Sequence, residues 1–168
     1  VEQVIFGAAL YSDAIIEVTH RLQLIPGARL ELYKYGSNVR LSAEPRAVAR
    51  YKLLEGTTLK AGVGLFSKAP EPRFVNEQFG NDKMLLEHAL HLSVGAEQQI
   101  LPPLILDVQF YYNYRYDLAV FADPERADAA AAVGTARADN SGSGFSYGME
   151  VLLKHNVSKH IYGWLAYT

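Results

Sequence analysis

The chain has 168 residues, of which 49% are hydrophobic and 20% are charged, and its formal net charge is -2. Wholesale disorder is excluded, because it requires low hydrophobicity and high net charge. A net charge near zero offers no basic surface to nucleic acid, so none is expected as a partner. The absence of cysteine excludes disulfides, thiol catalysis and Cys-ligated metal sites. No apolar run approaches the roughly 18 residues of a transmembrane helix, and residues 1–10 lack the basic region of a signal peptide.

Apolar and polar residues alternate with a period of two along most of the chain, which predicts half-buried β-strands. The clearest alternation covers residues 106–118, well beyond the usual strand of about five or six residues. Pro26 falls inside the second predicted strand, where its missing N–H predicts a bulge or a local sheet edge. The eight predicted strands are residues 3–17, 21–35, 44–54, 57–68, 86–100, 104–119, 145–155 and 159–168.

The predicted connections alternate in length. The short turns fall near residues 18–20, 55–56, 102–103 and 156–158. The longer loops fall at 36–43, 69–85 and 120–144, the last with a helical turn at 128–133. Short turns on one edge and long loops on the other are typical of outer-membrane barrels. The predicted fold is therefore all-β, an antiparallel up-and-down transmembrane β-barrel segment of about eight long strands.

One side of the predicted strands carries the charged side chains. In a membrane barrel this side faces the lumen and the apolar side faces lipid, whereas a soluble barrel turns its apolar side inward. The long strands, and tyrosines near strand ends that suit an interfacial girdle, favour the membrane barrel. The alternative is a soluble β-barrel that binds a small apolar ligand. The predicted lumen-facing residues are Arg29, Glu31, Arg46, Arg50, Lys60, His91, Glu97, Asp107, Arg115 and Glu150.

Several short segments resemble, in order, strands of the large TonB-dependent outer-membrane receptors. They are IPGAR at 25–29, EPR at 44–46 with ARY at 49–51, LKAGVGLFS at 59–67, FGN at 79–81, SVGAE at 93–97, YGME at 147–150 and YGWLAYT at 162–168. Each motif is short, but together they cover nearly the whole chain. The resemblance accounts for Pro26, because such receptors carry a proline and a glycine in the corresponding strand.

The resemblance implies more than this chain contains. Such receptors have a barrel of about 22 strands with an N-terminal plug, so residues 1–168 are expected to form a single segment from the C-terminal part of a larger barrel, without the plug. The implied function is uptake of a siderophore-metal complex, a cofactor or another bulky nutrient across the bacterial outer membrane. The implied partners are the lipid bilayer (or detergent), the rest of the barrel and its plug, TonB through the plug region, and an unidentified small-molecule ligand.

No catalytic residue, metal site or cofactor is predicted. His88 and His91 are three residues apart, which places them on opposite faces of a strand, and His155 and His160 flank a turn. Neither pair is expected to bind a metal. No enzymatic activity is expected either; its sign would be a Ser–His or carboxylate–His pair within hydrogen-bonding reach. The charged residues of the predicted lumen face are expected to form a cross-strand ladder, in which each pair contributes about 0.2–1 kcal/mol.

Overall fold

The computed structural model describes residues 5–35, 38–75, 81, 83–121, 138–157 and 161–168. Within these ranges the chain forms one antiparallel sheet in which strands adjacent in sequence are adjacent in space. The strands are β1 Ile5–Asp13, β2 Ile16–Glu17, β3 Leu22–Tyr35, β4 Asn38–Leu54, β5 Thr57–Lys68, β6 Glu87–Leu101, β7 Leu104–Phe121, β8 Ala138–His155 and β9 Gly163–Tyr167. The short β2 pairs with β3 beside β1. The predicted all-β, up-and-down architecture is confirmed. No helix in the described ranges is long and apolar enough to cross a membrane.

The predicted first strand is interrupted opposite Pro26. Asp13 pairs with Gly27 and Ile16 pairs with Leu24, so the register is the same on both sides of the gap. The Ala14 N–H still donates to the Pro26 carbonyl over 3.0 Å, but Pro26 has no N–H to return. The missing donor thus breaks the first strand in two without adding a residue, and no bulge forms at this point.

Two predicted loops are shorter than expected. β4 begins at Asn38 rather than at residue 44, and its first residue pairs with Tyr35. β8 begins at Ala138 rather than at residue 145. Residues 138–144 are mostly small and polar, a composition typical of loops, yet they pair with the end of β7 through a register shift. The predicted helical turn at 128–133 and the predicted start of the last strand at 159 lie outside the described residues.

The strand register separates charge from apolar surface. All ten predicted lumen-facing residues lie on one side of the sheet, which we call the polar face. The opposite side, the apolar face, carries no Asp, Glu, Lys or Arg along residues 22–32, 39–53, 57–67, 88–100, 104–116 and 145–155. Its side chains are open to the surroundings: Val94 is 59% exposed and Phe110 is 53% exposed.

The buried core is small and lies at one end of the sheet. We call this end, where β5 connects to β6, the loop end. We call the opposite end, where the short turns lie, the turn end. We call the described part of that connection, residues 69–75, 81 and 83–86, the strap. The strap crosses the polar face and packs onto it. The buried apolar cluster consists of Tyr35, Phe74, Val75, Met84, Leu86 and Ala138. A core of this kind leaves the rest of the sheet as a single layer.

Candidate functional site

The polar face carries ion pairs that bridge strands. Asp13 on β1 accepts hydrogen bonds from Arg46 on β4 at Nε (2.9 Å) and Nη2 (2.7 Å). This two-bond pair spans β3, where Gly27 occupies the position between the two side chains. A Cβ at Gly27 would lie 1.8 Å from an Asp13 carboxylate oxygen. Glycine at this position therefore lets a charge pair lie flat against the sheet.

A second ion pair bridges strands further along the sheet. Lys60 on β5 donates to Asp107 on β7, reaching diagonally over β6, where Lys60 is paired with Gly95 and Asp107 with Glu97. A Cβ at Gly95 would lie 2.5 Å from a backbone carbonyl, so no other residue fits there without a shift. Arg50 and Glu97 form a looser, more exposed pair at 4.0 Å. Five of the ten predicted residues are thus in cross-strand ion pairs: Arg46, Arg50, Lys60, Glu97 and Asp107.

Arg29 and Glu31 are paired within one strand. The Arg29 Nε donates to Glu31 over 2.7 Å, and Glu44 on β4 lies 3.9 Å from the same nitrogen. Glu44 is 5% exposed and accepts a hydrogen bond from the Ser67 backbone N–H over 2.8 Å. The β4–β5 ladder ends at the pair Arg46 and Gly64, so Glu44 bridges the two strands beyond the point where their backbones separate. Glu44 belongs to the EPR motif but is not among the ten predicted lumen-facing residues.

A pocket of about 500 Å³ opens on the polar face between β4 and β8. Phe66 and His91 pack in it with ring centroids 4.6 Å apart. Tyr111 lies flat over Gly148, where a Cβ would meet its hydroxyl at 2.6 Å. Glu150 also lines the pocket, and no described residue forms an ion pair with it. The pocket therefore combines aromatic surface with polar groups, as expected of a ligand or protein contact surface.

Arg115 is the remaining predicted residue, and its neighbours are small. It pairs in the sheet with Ala89 on one side and Gly144 on the other. It lines a second pocket, of about 240 Å³, together with Lys68 and Glu87. Lys68 is paired with Glu87 over 2.9 Å, whereas no described carboxylate lies within ion-pair distance of Arg115. This part of the polar face therefore carries an excess positive charge.

A Ser–His pair, the expected sign of an enzyme, is present at the loop end. Ser67 Oγ lies 2.9 Å from His88 Nδ1, and His88 Nε2 lies 3.9 Å from Asp117. The Ser67 hydroxyl also accepts a hydrogen bond from Ser42, and its backbone N–H is donated to Glu44. Acyl transfer requires hydrogen-bond donors directed at the reacting oxygen. The Ser67 N–H is bonded to Glu44 and is not available for this. The geometry indicates a hydrogen-bond chain that joins β4, β5 and β6.

The described residues contain no group of three or more His, Asp or Glu side chains that could hold a metal ion. His88 pairs with Ser67 as above, and His91 packs on Phe66. His155 lies on the apolar side at the turn end, and its proposed neighbour His160 is outside the described residues. These positions offer no shared ligand set.

The architecture and the division of its surface define a class of protein. A single-layer sheet with a charge-free exposed face, a charged opposite face and strands of up to 18 residues is the wall of an outer-membrane-type β-barrel. A family model described as TonB dependent receptor-like, beta-barrel, matches residues 3–168. The chain belongs to this family, as the sequence motifs indicated. Its members are transporters rather than enzymes.

Solved structures show the same fold. The siderophore receptor PirA from Pseudomonas aeruginosa is 22% identical with a TM-score of 0.69, over 92% of this chain and 29% of that one. The ferric-catecholate import receptor Fiu from E. coli is 16% identical with a TM-score of 0.69, over 92% and 26%. The FrpB iron transporter from Neisseria meningitidis is 13% identical with a TM-score of 0.69, over 94% and 25%. This chain thus spans less than a third of the length of each. No curated protein sequence matches it.

Proposed function

We propose that the chain forms part of the wall of an energy-coupled receptor in the bacterial outer membrane, which imports a siderophore-metal complex, a cofactor or another bulky nutrient. The polar face lines the lumen and the apolar face contacts lipid. The observation that carries the proposal is the confinement of charge to one face along residues 22–32, 39–53, 57–67, 88–100, 104–116 and 145–155 of six consecutive strands, β3 to β8. A charged side chain on the lipid-facing side of a β-barrel is destabilising toward the bilayer midplane, so a membrane wall keeps that part of its surface free of charge.

The sheet edges support further strands as partners. Among the described residues, β1 pairs only with β3, and β9 pairs only with β8. An open sheet edge is unfavourable in hydrocarbon, because its N–H and C=O groups have no water to bind. The rest of the barrel would supply the missing partners. A plug inside the lumen would contact the polar face, and TonB would act on the receptor through that plug.

The alternative of a soluble barrel for an apolar ligand finds no support. Such a barrel buries its apolar side chains on the concave side. Here the strap packs against the polar face and bonds to strands at both sides of it, so the polar face is the concave one. The apolar face would then be left in water, and an exposed apolar surface of this extent promotes aggregation.

An uptake assay tests the proposal. The complete receptor gene would be deleted and restored, and cells would be supplied with iron-55 complexes of catecholate, hydroxamate and citrate chelators, and separately with labelled cobalamin. We expect at least one compound to accumulate only in cells that carry both the receptor and TonB. Accumulation of none of them, or accumulation that persists without TonB, would contradict energy-coupled uptake of this substrate class.

The charge at Arg115 favours an anionic ligand. Arg115 and Lys68 line the same pocket with one described carboxylate, Glu87, which Lys68 already occupies. An unpaired guanidinium on a lumen wall binds carboxylate or catecholate oxygens through charge-assisted hydrogen bonds, which are about twice as strong as neutral ones. Ferric complexes of such chelators commonly carry net negative charge, so the excess positive charge at this part of the wall favours them.

Arg115→Gln should weaken binding of the imported complex by about tenfold or more, because one charge-assisted contact is lost. Arg50→Gln is the matched control, since Arg50 lies on the same face but already faces Glu97. Equilibrium binding to cells at low temperature measures the effect without transport. Equal losses in the two variants would mean that general lumen charge, rather than Arg115, attracts the ligand.

A further inference from the structure

The strap is fastened at two distant parts of the sheet through neighbouring residues. The Met84 carbonyl accepts hydrogen bonds from the Tyr35 hydroxyl (2.6 Å) and from Arg40 Nη2 (3.4 Å), on β3 and β4. The next residue, Leu85, donates its N–H to the Asn140 side chain on β8 over 2.9 Å and accepts a bond back over 3.3 Å. One short stretch of strap is therefore bonded to both sides of the curved sheet.

The distance between these anchors shows what the strap does to the polar face. β3 and β8 are separated by five strand spacings, or roughly 24 Å along the sheet. Two consecutive residues reach both strands, so the sheet curves around the strap and the strap runs as a chord across its concave side. A second bond of the same kind joins Asn81 Nδ2 to the Ala138 carbonyl on β8 over 3.1 Å.

Apolar packing holds the strap between its anchors. Val75 and Met84 are 0% and 1% exposed, and Phe74 packs on Phe121 of β7 with ring centroids 4.8 Å apart. Asn140 also donates to the Asp117 carbonyl over 2.7 Å. Asp117 has a positive φ of 55°, a backbone conformation that a non-glycine residue adopts only when its surroundings hold it. Asn140 thus connects the strap to the irregular point of β7.

We propose that the strap is a fixed crossbar over the loop end of the lumen, which limits the size of the molecules that reach the wall beneath it. The side chains of Phe74, Val75, Met84 and Leu86 are buried as in a protein core, so the strap remains docked when no ligand is bound. As a filter for nutrients the proposal rests on the proposed function. The barrier itself, however, is tested without any nutrient, so the two can fail independently.

The test uses the lack of cysteine in these 168 residues. Gly144→Cys places a thiol on the polar face, four residues from Asn140, where a Cβ meets nothing within 4 Å. Lys34→Cys places one on the opposite face at the same end, away from the strap. Both are made in the complete receptor with any other cysteines replaced, and each is labelled with N-ethylmaleimide or with a maleimide carrying a polyethylene-glycol chain.

The measured quantity is the labelling rate of the large reagent divided by that of the small one. We expect this ratio to be about tenfold lower at Gly144→Cys than at Lys34→Cys, since the docked strap excludes the large reagent. Asn140→Ala and Tyr35→Phe each remove an anchor bond. Adding either should raise the labelling rate of the large reagent at Gly144→Cys by several-fold to about tenfold. Asn113→Ala removes an amide from the same face without touching the strap and should leave the ratio unchanged. An equal size dependence at both thiols, or no response to either anchor variant, would overturn the proposal.

Discussion

Val94→Arg should prevent or strongly weaken assembly of the barrel in a bilayer. Val94 lies at the centre of β6 on the charge-free face, paired with Ala61 and Phe110. An arginine on the lipid face near the middle of the bilayer costs about 2–4 kcal/mol. Urea unfolding of the complete receptor in lipid vesicles, followed by the heat-modifiable shift of its band on a gel, measures the loss.

Ser93→Arg is the matched control for this substitution. Ser93 is the preceding residue and lies on the polar face, next to the pocket formed by Phe66, His91 and Tyr111. The same side chain placed there can reach water or the lumen charges, so we expect a cost well below that of Val94→Arg. If the two variants lose stability equally, the assignment of the apolar face to lipid is wrong.

Asp107→Asn should destabilise the barrel by about 2 kcal/mol, because it leaves the Lys60 ammonium without its carboxylate in a partly buried site. The side chains of Lys60 and Asp107 are 14% and 22% exposed, and the pair ties β5 to β7 across β6. Glu97→Gln breaks the more exposed pair with Arg50 and should cost less than about 1 kcal/mol. Urea unfolding midpoints in detergent give both values.

A double-mutant cycle separates the pair from its surroundings. Lys60→Met with Asp107→Leu should cost clearly less than the sum of the two single variants, since neither charge is then left alone. Additive losses would show that Lys60 and Asp107 act independently, and that the bridge across β6 contributes nothing measurable.

Much of the fold follows from the alternation of residue types. Side chains in a strand point to opposite faces in turn, so a long alternating run defines both the strand and its two surfaces. This is why residues as far apart as Arg29 and Glu150 could be assigned to one face before any pairing was known. The same rule fails where the pattern is weak: residues 38–43 and 138–144 were predicted as loops, although ladder hydrogen bonds extend both strands.

The contacts within the candidate site were less predictable. The Lys60–Asp107 pair depends on the register of β5, β6 and β7, which sets the two residues diagonally across β6 from each other. Glu44 and the Ser67–His88 contact arise because β4 and β5 separate near their loop ends. Nothing in a local pattern reports such a separation, because it results from the curvature of the whole sheet.

The sequence by itself determined the order of the long strands, the two faces and the family, since these depend on periodicity and on motifs along single strands. Only the tertiary structure showed that residues 69–75, 81 and 83–86 cross the concave face and hold its single buried core among the described residues. Composition indicated a loop there, and loops are normally surface segments. The strap instead buries five of its side chains, Pro70, Phe74, Val75, Met84 and Leu86, because the curved sheet brings β3 and β8 within reach of neighbouring residues, Met84 and Leu85.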